Sequence, residues 1–219
     1  MEGKNDPVDL KAKKIAVAVI IIFHLVGLAG FLCGPLRPYF IQLVPFHLLL
    51  MFGVIVFSYR GPLNRLMLFV SGVFVSGFLV EVLGVYTGNI FGSYYYGRTL
   101  GLKVFAVPLL MGVNWVILIF SVAQMIRALG IRHSILASLL GAVLLTVLDF
   151  FLEPVAMALD FWHWNWSTVP LQNFIAWFVV SLILLKFCYA TDLKQQKYVG
   201  ATMFLAQLAF FAILRFALA

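Results

Sequence analysis

Charge is what this sequence lacks most. Only 11% of its 219 residues are Asp, Glu, Lys or Arg, and just eight are acidic. With 64% hydrophobic residues and a mean hydropathy of +1.08, the chain cannot clothe a soluble domain in polar surface. Cysteine is nearly absent too. Cys33 and Cys188 fall at the ends of different apolar runs, on opposite faces of the topology derived below, so they are not expected to pair and a disulfide scaffold is excluded. Missing as well are a glycine-rich phosphate loop, an HExxH pair and any Cys or His cluster of metal-binding spacing, so no metal site is expected. A net charge of +7 would suit a nucleic-acid partner if it lay on one soluble face. Here the basic residues occupy short connections between apolar runs, so nucleic acid is excluded and the charge is a topology signal.

What is abundant is apolar runs of membrane-spanning length, each near the ~20 residues a helix needs to cross a ~30 Å hydrocarbon core. The pattern predicts an all-α integral membrane protein, a single domain over residues 1–219. It has about seven transmembrane helices near residues 14–32, 39–59, 66–85, 103–125, 134–155, 170–189 and 199–218. A polar, frayed tail is expected over 1–13. Lys11, Lys13 and Lys14 precede the first apolar run and no small-residue cleavage site follows Phe31, which reads as a retained signal-anchor. With the N-terminus inside, eleven of the fifteen basic residues lie on the cytoplasmic face and only Arg37, Arg98, Lys103 and Arg215 lie outside. The positive-inside bias therefore predicts N-in, C-out in the cytoplasmic membrane.

The same topology gathers Glu81, Asp149, Glu153 and Asp160 toward the outer half. Asp149 and Glu153 are four apart, so on a helix they share a face, at or inside the hydrocarbon boundary. Ionisable groups there face a bundle interior or cavity and carry function by default. Two acids one turn apart repel, and the pair is expected to hold one proton. Arg98 or Lys103 are candidate charge partners. Residues 86–101, with Thr87, Tyr94 and Tyr96, are too rich in glycine and tyrosine for an ordinary polar loop and predict a lid or re-entrant piece; an interfacial aromatic anchor is the plainer reading. Trp162, Trp164 and Trp166 read first as interfacial anchors. Gly72 and Gly77 permit close helix approach. Asn114 and Trp115 are expected mid-membrane, where the amide needs a partner, and His24 is expected to hydrogen-bond within the bundle. The role of His47, beside Pro45 in the second span, stays open.

Carboxyls, amides and aromatics between apolar helices suit proton chemistry on a lipid-soluble molecule. A protonated carboxyl can donate to an electron-rich double bond, rings can stabilise the developing cation, and a second carboxylate can orient water. A membrane proton relay would use the same residues.

Several blocks sharpen this reading: Glu81-x-x-Gly84-Val85-x-Thr87-Gly88-x-x-Phe91-Gly92-x-Tyr94-x-Tyr96-Gly97, Val107-Pro108-Leu109, Asn114-Trp115, Leu148-Asp149-x-x-x-Glu153-Pro154, Trp162-x-Trp164, and Val169-Pro170-x-x-Asn173-Phe174-x-x-Trp177. In order and spacing, over about residues 70 to 180, they resemble the membrane carotenoid-biosynthesis family that includes the acyclic carotenoid hydratases. The resemblance implies cofactor-independent hydration of the terminal double bond at an acyclic end of a carotenoid such as γ-carotene, lycopene or a bacterioruberin precursor, giving a tertiary alcohol. On chemical grounds one of Asp149 and Glu153 is the acid and the other, or Glu81, positions water. Asn173, Asn114, Arg98, Tyr94, Tyr96, Thr87, Trp115, Trp162, Trp164 and Trp177 are expected around substrate or water. Expected partners are the polyene, the lipid bilayer and other carotenoid-pathway enzymes, such as a glycosyltransferase or desaturase. A carotenoid cyclase is the nearest competitor, distinguished by a dry pocket. A proton-coupled transporter is disfavoured by one-sided acids and an odd span count, and a retinal photoreceptor by the lack of a lysine deep in the last span.

Overall fold

The computed structural model describes residues 7–166 and 168–218. These form seven helices, α1 (Pro7–Leu32), α2 (Arg37–Ser58), α3 (Leu63–Thr87), α4 (Leu110–Ala128), α5 (Ser134–Ala158), α6 (Leu171–Ala190) and α7 (Lys197–Leu218), each long and apolar enough to cross a membrane. Four short strands join them: β1 (Tyr94–Tyr96), β2 (Lys103–Val104), β3 (Val107–Pro108) and β4 (Trp162–Trp164).

Helix α4 is the axis of the bundle, packing against α2, α3, α5, α6 and α7. Every residue from Trp115 to Ile126 is buried, as expected for a helix apolar all round. The other six helices each turn a face outward, where Phe57, Phe216, Leu171 and Met67 stand exposed. That is the surface of a protein solvated by lipid.

Two sequence boundaries shift. Helix α1 begins at Pro7, so residues 7–13 of the expected tail are helical, while residues 1–6 lie outside the described chain. The fourth span starts seven residues late, because 103–108 folds into a hairpin of β2 and β3, with Lys103 opposite Pro108 and Val104 opposite Val107. Phe105 and Ala106 both take positive φ, 50° and 62°, the backbone of a two-residue hairpin turn. Asn114 and Trp115 therefore stand in the second turn of α4, not at its middle.

At one end of the bundle the connections 88–109 and 159–170 meet, where β1 pairs antiparallel with β4, Tyr94 opposite Trp164 and Tyr96 opposite Trp162. At the other end the connection 191–196 is tied down. Gln196 bonds both Ser58 and Gln124, Arg127 donates to the Leu193 carbonyl at 2.8 Å, and Arg65 pairs with Asp192. Acids and aromatics mark the first end and basic residues the second.

Candidate active site

Three carboxyls from two helices are sealed beneath the β1–β4 pair. Glu81 (α3), Asp149 and Glu153 (α5) are 4%, 0% and 2% exposed. The strands explain how they are held. In an extended segment alternate side chains face alternate sides. Tyr94, Tyr96, Trp162 and Trp164 thus point inward, while Tyr95 and Trp166 are exposed.

Glu81 Oε2 accepts from the hydroxyls of Tyr94 and Tyr96 at 2.6 and 2.7 Å, and its Oε1 from Trp115 Nε1 at 3.0 Å. Burial foremost, then the Glu81 charge, raises the pKa of both phenols well above the ordinary tyrosine value, so both remain donors. Two glycines on the Glu81 face make this contact possible. A Cβ at Gly77 would meet the Trp115 ring at 2.7 Å, and one at Gly84 would sit 3.1 Å from the Tyr94 hydroxyl. Trp115 is braced in turn by Trp177 of α6, the ring centres 4.7 Å apart.

Glu153 Oε2 accepts from Trp164 Nε1 at 2.7 Å and Trp162 Nε1 at 3.1 Å. The Asn173 amide of α6 bridges the pair, donating to Glu153 Oε1 at 3.1 Å and Asp149 Oδ2 at 2.7 Å. Asp149 Oδ1 is buried and unbonded among the described residues. Pro154 sits inside α5, and its missing N–H orphans the Phe150 carbonyl one turn back. Arg215 of α7 donates to that carbonyl and lies over the Phe150 ring at 3.9 Å. This fixes α5 beside Asp149.

Two spaces adjoin the cluster. A chamber of about 20 Å³ is lined by Glu81, Glu153, Asn173, Tyr94, Tyr96 and neighbouring rings. Since roughly 10–15 Å³ suffices for one water with polar partners, it is a one-water space. Beyond Met111 and Trp162, which line both, lies an apolar cavity of about 310 Å³ between α1, α2, α4, α5 and α7. It reaches the lipid-facing surface at Phe23 and Phe46, both exposed.

Of the residues singled out in the sequence, Glu81, Asp149, Glu153, Tyr94, Tyr96, Trp115, Trp162, Trp164, Asn173 and Trp177 come together here. Asn114 lines the cavity instead. Two stand apart. Arg98 is exposed and its backbone N–H caps Asp160 at 3.0 Å. Thr87 is exposed and donates to the Leu83 carbonyl at the end of α3. Lys103, the other expected charge partner, donates to the Tyr96 carbonyl at 2.6 Å. Glu81, Asp149 and Glu153 are balanced by neutral donors because the tryptophans, the tyrosines and Asn173 reach them first; among the described residues none of these three carboxyls bonds a basic side chain. Gln207 and Met111 escaped notice in the sequence. A lone amide in an apolar span is a readable signal for the first, whereas nothing local marks the second.

Seven membrane-length helices with a buried cluster of carboxyls at one end, beside a cavity that reaches the lipid-facing surface, define a multi-pass integral membrane protein. The chain belongs to the family of carotenoid biosynthesis proteins, whose family model matches residues 41–219. That match takes in all but the first turn of α2, the whole of α3 to α7, and every residue of the acid cluster. No curated protein and no solved structure matches the chain.

Proposed function

We propose that this protein is a carotenoid hydratase, adding water without a cofactor across the terminal double bond of an acyclic carotenoid end group. The observation that carries the reading is the one-water chamber between Glu81 and Glu153, set one side chain away from an apolar cavity reaching the lipid. A cyclase would be better served by a dry space.

Hydrogen-bond accounting separates the three carboxyls. Glu81 and Glu153 each accept three bonds from neutral donors, an arrangement that stabilises the ionised form. Asp149 accepts one and keeps an unbonded buried oxygen, which is costly if charged and tolerable if that oxygen carries a proton. Asp149 therefore holds the proton; it lines neither space, so it acts on the substrate through Glu153, which lines the chamber and shares Asn173 with it. That proton goes to the less substituted carbon of the terminal alkene, whose π pair becomes the new C–H bond and leaves a tertiary cation. The rings of Trp162, Trp164 and Trp177, which line the chamber, stabilise that cation. Water in the chamber attacks it through oxygen, and Glu153 takes the surplus proton. Return of that proton to Asp149, its partner across Asn173, restores the starting state. Asn173 holds the pair in register, and the anchored Glu81 fixes the chamber wall. Arg98 and Thr87 take no part. The end group enters from the cavity by displacing Met111, a side chain flexible enough to swing aside. We further infer N-in, C-out placement in the cytoplasmic membrane, with product passed to enzymes that glycosylate or desaturate it.

Pigment analysis of lycopene- and γ-carotene-producing bacterial hosts, with and without the gene, tests this directly. A pigment heavier by one water is expected. An isomer of unchanged mass would mean a cyclase, and no change in either host would restore the transporter reading.

A further inference from the structure

The large cavity carries more polarity than a hydrocarbon needs. Four of its lining side chains, His24 (α1), His47 (α2), Asn114 (α4) and Gln207 (α7), bear hydrogen-bonding atoms in an otherwise aliphatic and aromatic wall. Gln207 is 6% exposed, and its Oε1 is buried without a partner among the described residues. His24 commits Nδ1 to the Ile20 carbonyl at 2.8 Å, which leaves Nε2, and its ring stands edge-on to His47 at 4.9 Å. Unpaired polar atoms among hydrocarbon are unfavourable until a partner arrives. Packing does not explain four polar side chains, from four helices, around one space.

We propose that this cavity is a binding site for a tertiary alcohol, the hydrated end group once it has withdrawn past Met111; this rests on the hydratase reading. A hydroxyl offers one donor and two acceptor positions. It can donate to Gln207 Oε1 and accept from the Asn114 amide, whereas an alkene end can do neither. The route is consistent with this pairing. Met111 lines both spaces, and Asn114 lies three residues further along the same helix, one turn inward on the cavity wall. A hydroxyl passing Met111 meets Asn114 next. The cavity therefore admits the hydrocarbon loosely and holds the alcohol firmly, and the enzyme is inhibited by its own product.

The test is binding to purified full-length protein in detergent micelles, read by quenching of tryptophan fluorescence. The probes are lycopene and the alcohol made by adding water across one of its terminal double bonds. The alcohol is expected to bind at least tenfold tighter. Gln207→Leu and Asn114→Leu should each remove most of that preference by weakening alcohol binding, and retained lycopene binding shows that the variants fold. Equal affinities in the native protein, or a preference that survives the Gln207→Leu, Asn114→Leu double variant, overturn the proposal. Conversion of lycopene followed in the same preparation separates the two ideas. Hydration without alcohol preference removes this site and keeps the hydratase, whereas alcohol preference without hydration keeps the site and removes the hydratase.

Discussion

Asp149 and Glu81 are both carboxyls at nearly zero exposure, yet their surroundings give them opposite sensitivities. Glu81→Gln would turn an amide N–H₂ toward Tyr94, Tyr96 or Trp115, setting donor against donor. A loss of about 1–3 kcal/mol is expected from the buried group left unsatisfied, visible as a lower unfolding midpoint in detergent. Asp149→Asn keeps the volume and an oxygen for the Asn173 bond. Stability should stay within about 1 kcal/mol while turnover falls by at least roughly 10²-fold, the scale of a lost general acid. A Glu81→Gln protein as stable as the native one would show that its three bonds do not anchor the site. The four-residue spacing of Asp149 and Glu153 was legible in the sequence because it is a property of one helix. The partners of Glu81 were not: they stand 13, 15 and 34 positions away and meet it only through the fold.

Among the elements, the β1–β4 pair decides the site, and it was the least legible. Its signal was present as Tyr94-x-Tyr96 and Trp162-x-Trp164, a period of two, but three residues of alternation are too short to distinguish a strand from an interfacial aromatic belt. Asp160 fastens the pair. Its carboxylate accepts from His163 Nε2 at 2.7 Å and from the Arg98 backbone N–H at 3.0 Å. These bonds, His163 first, hold its pKa below the ordinary aspartate value. A depressed carboxylate adds stability that is fully present above the unfolded-state pKa and disappears as pH falls through the folded one. The closure over the acid cluster should therefore loosen on the acid side of about pH 4, by under about 1 kcal/mol for so exposed a pair. Limited proteolysis of residues 93–99 across pH is the measurement. Asp160→Asn should cleave at one elevated rate throughout, and an unchanged acid dependence in that variant would place the effect elsewhere. The late start of α4 has a similar origin, since the apolar run continues through Val104 and Phe105 and only the turn chemistry at 105–106 separates strand from helix.

The whole molecule is polarised, with acids, tyrosines and tryptophans at one end and Arg60, Arg65, Arg127 and Lys194 around the 191–196 connection at the other. Seven spans and their alternation were readable from hydropathy alone, because lipid demands length and apolarity and little else. Orientation rests on the charge bias, and Cys33 offers a direct check. It is exposed at the acid end, after α1, while Cys188 is buried. A membrane-impermeant maleimide should label intact cells, and Cys33→Ser should abolish the labelling. Labelling only after permeabilisation would invert the topology. The family was legible in the motif blocks between residues 81 and 177, which lie within the matched region. The location of the apolar cavity was not, because its wall is assembled from five helices.

The most direct test of the central claim is reaction of purified protein with lycopene in heavy-oxygen water, analysed by mass spectrometry for the native chain and Asp149→Asn. A tertiary alcohol carrying one labelled oxygen is expected from the native protein and none from the variant. Native-level labelled product from Asp149→Asn, or an unlabelled hydroxyl whose oxygen derives from dioxygen, would contradict the claim.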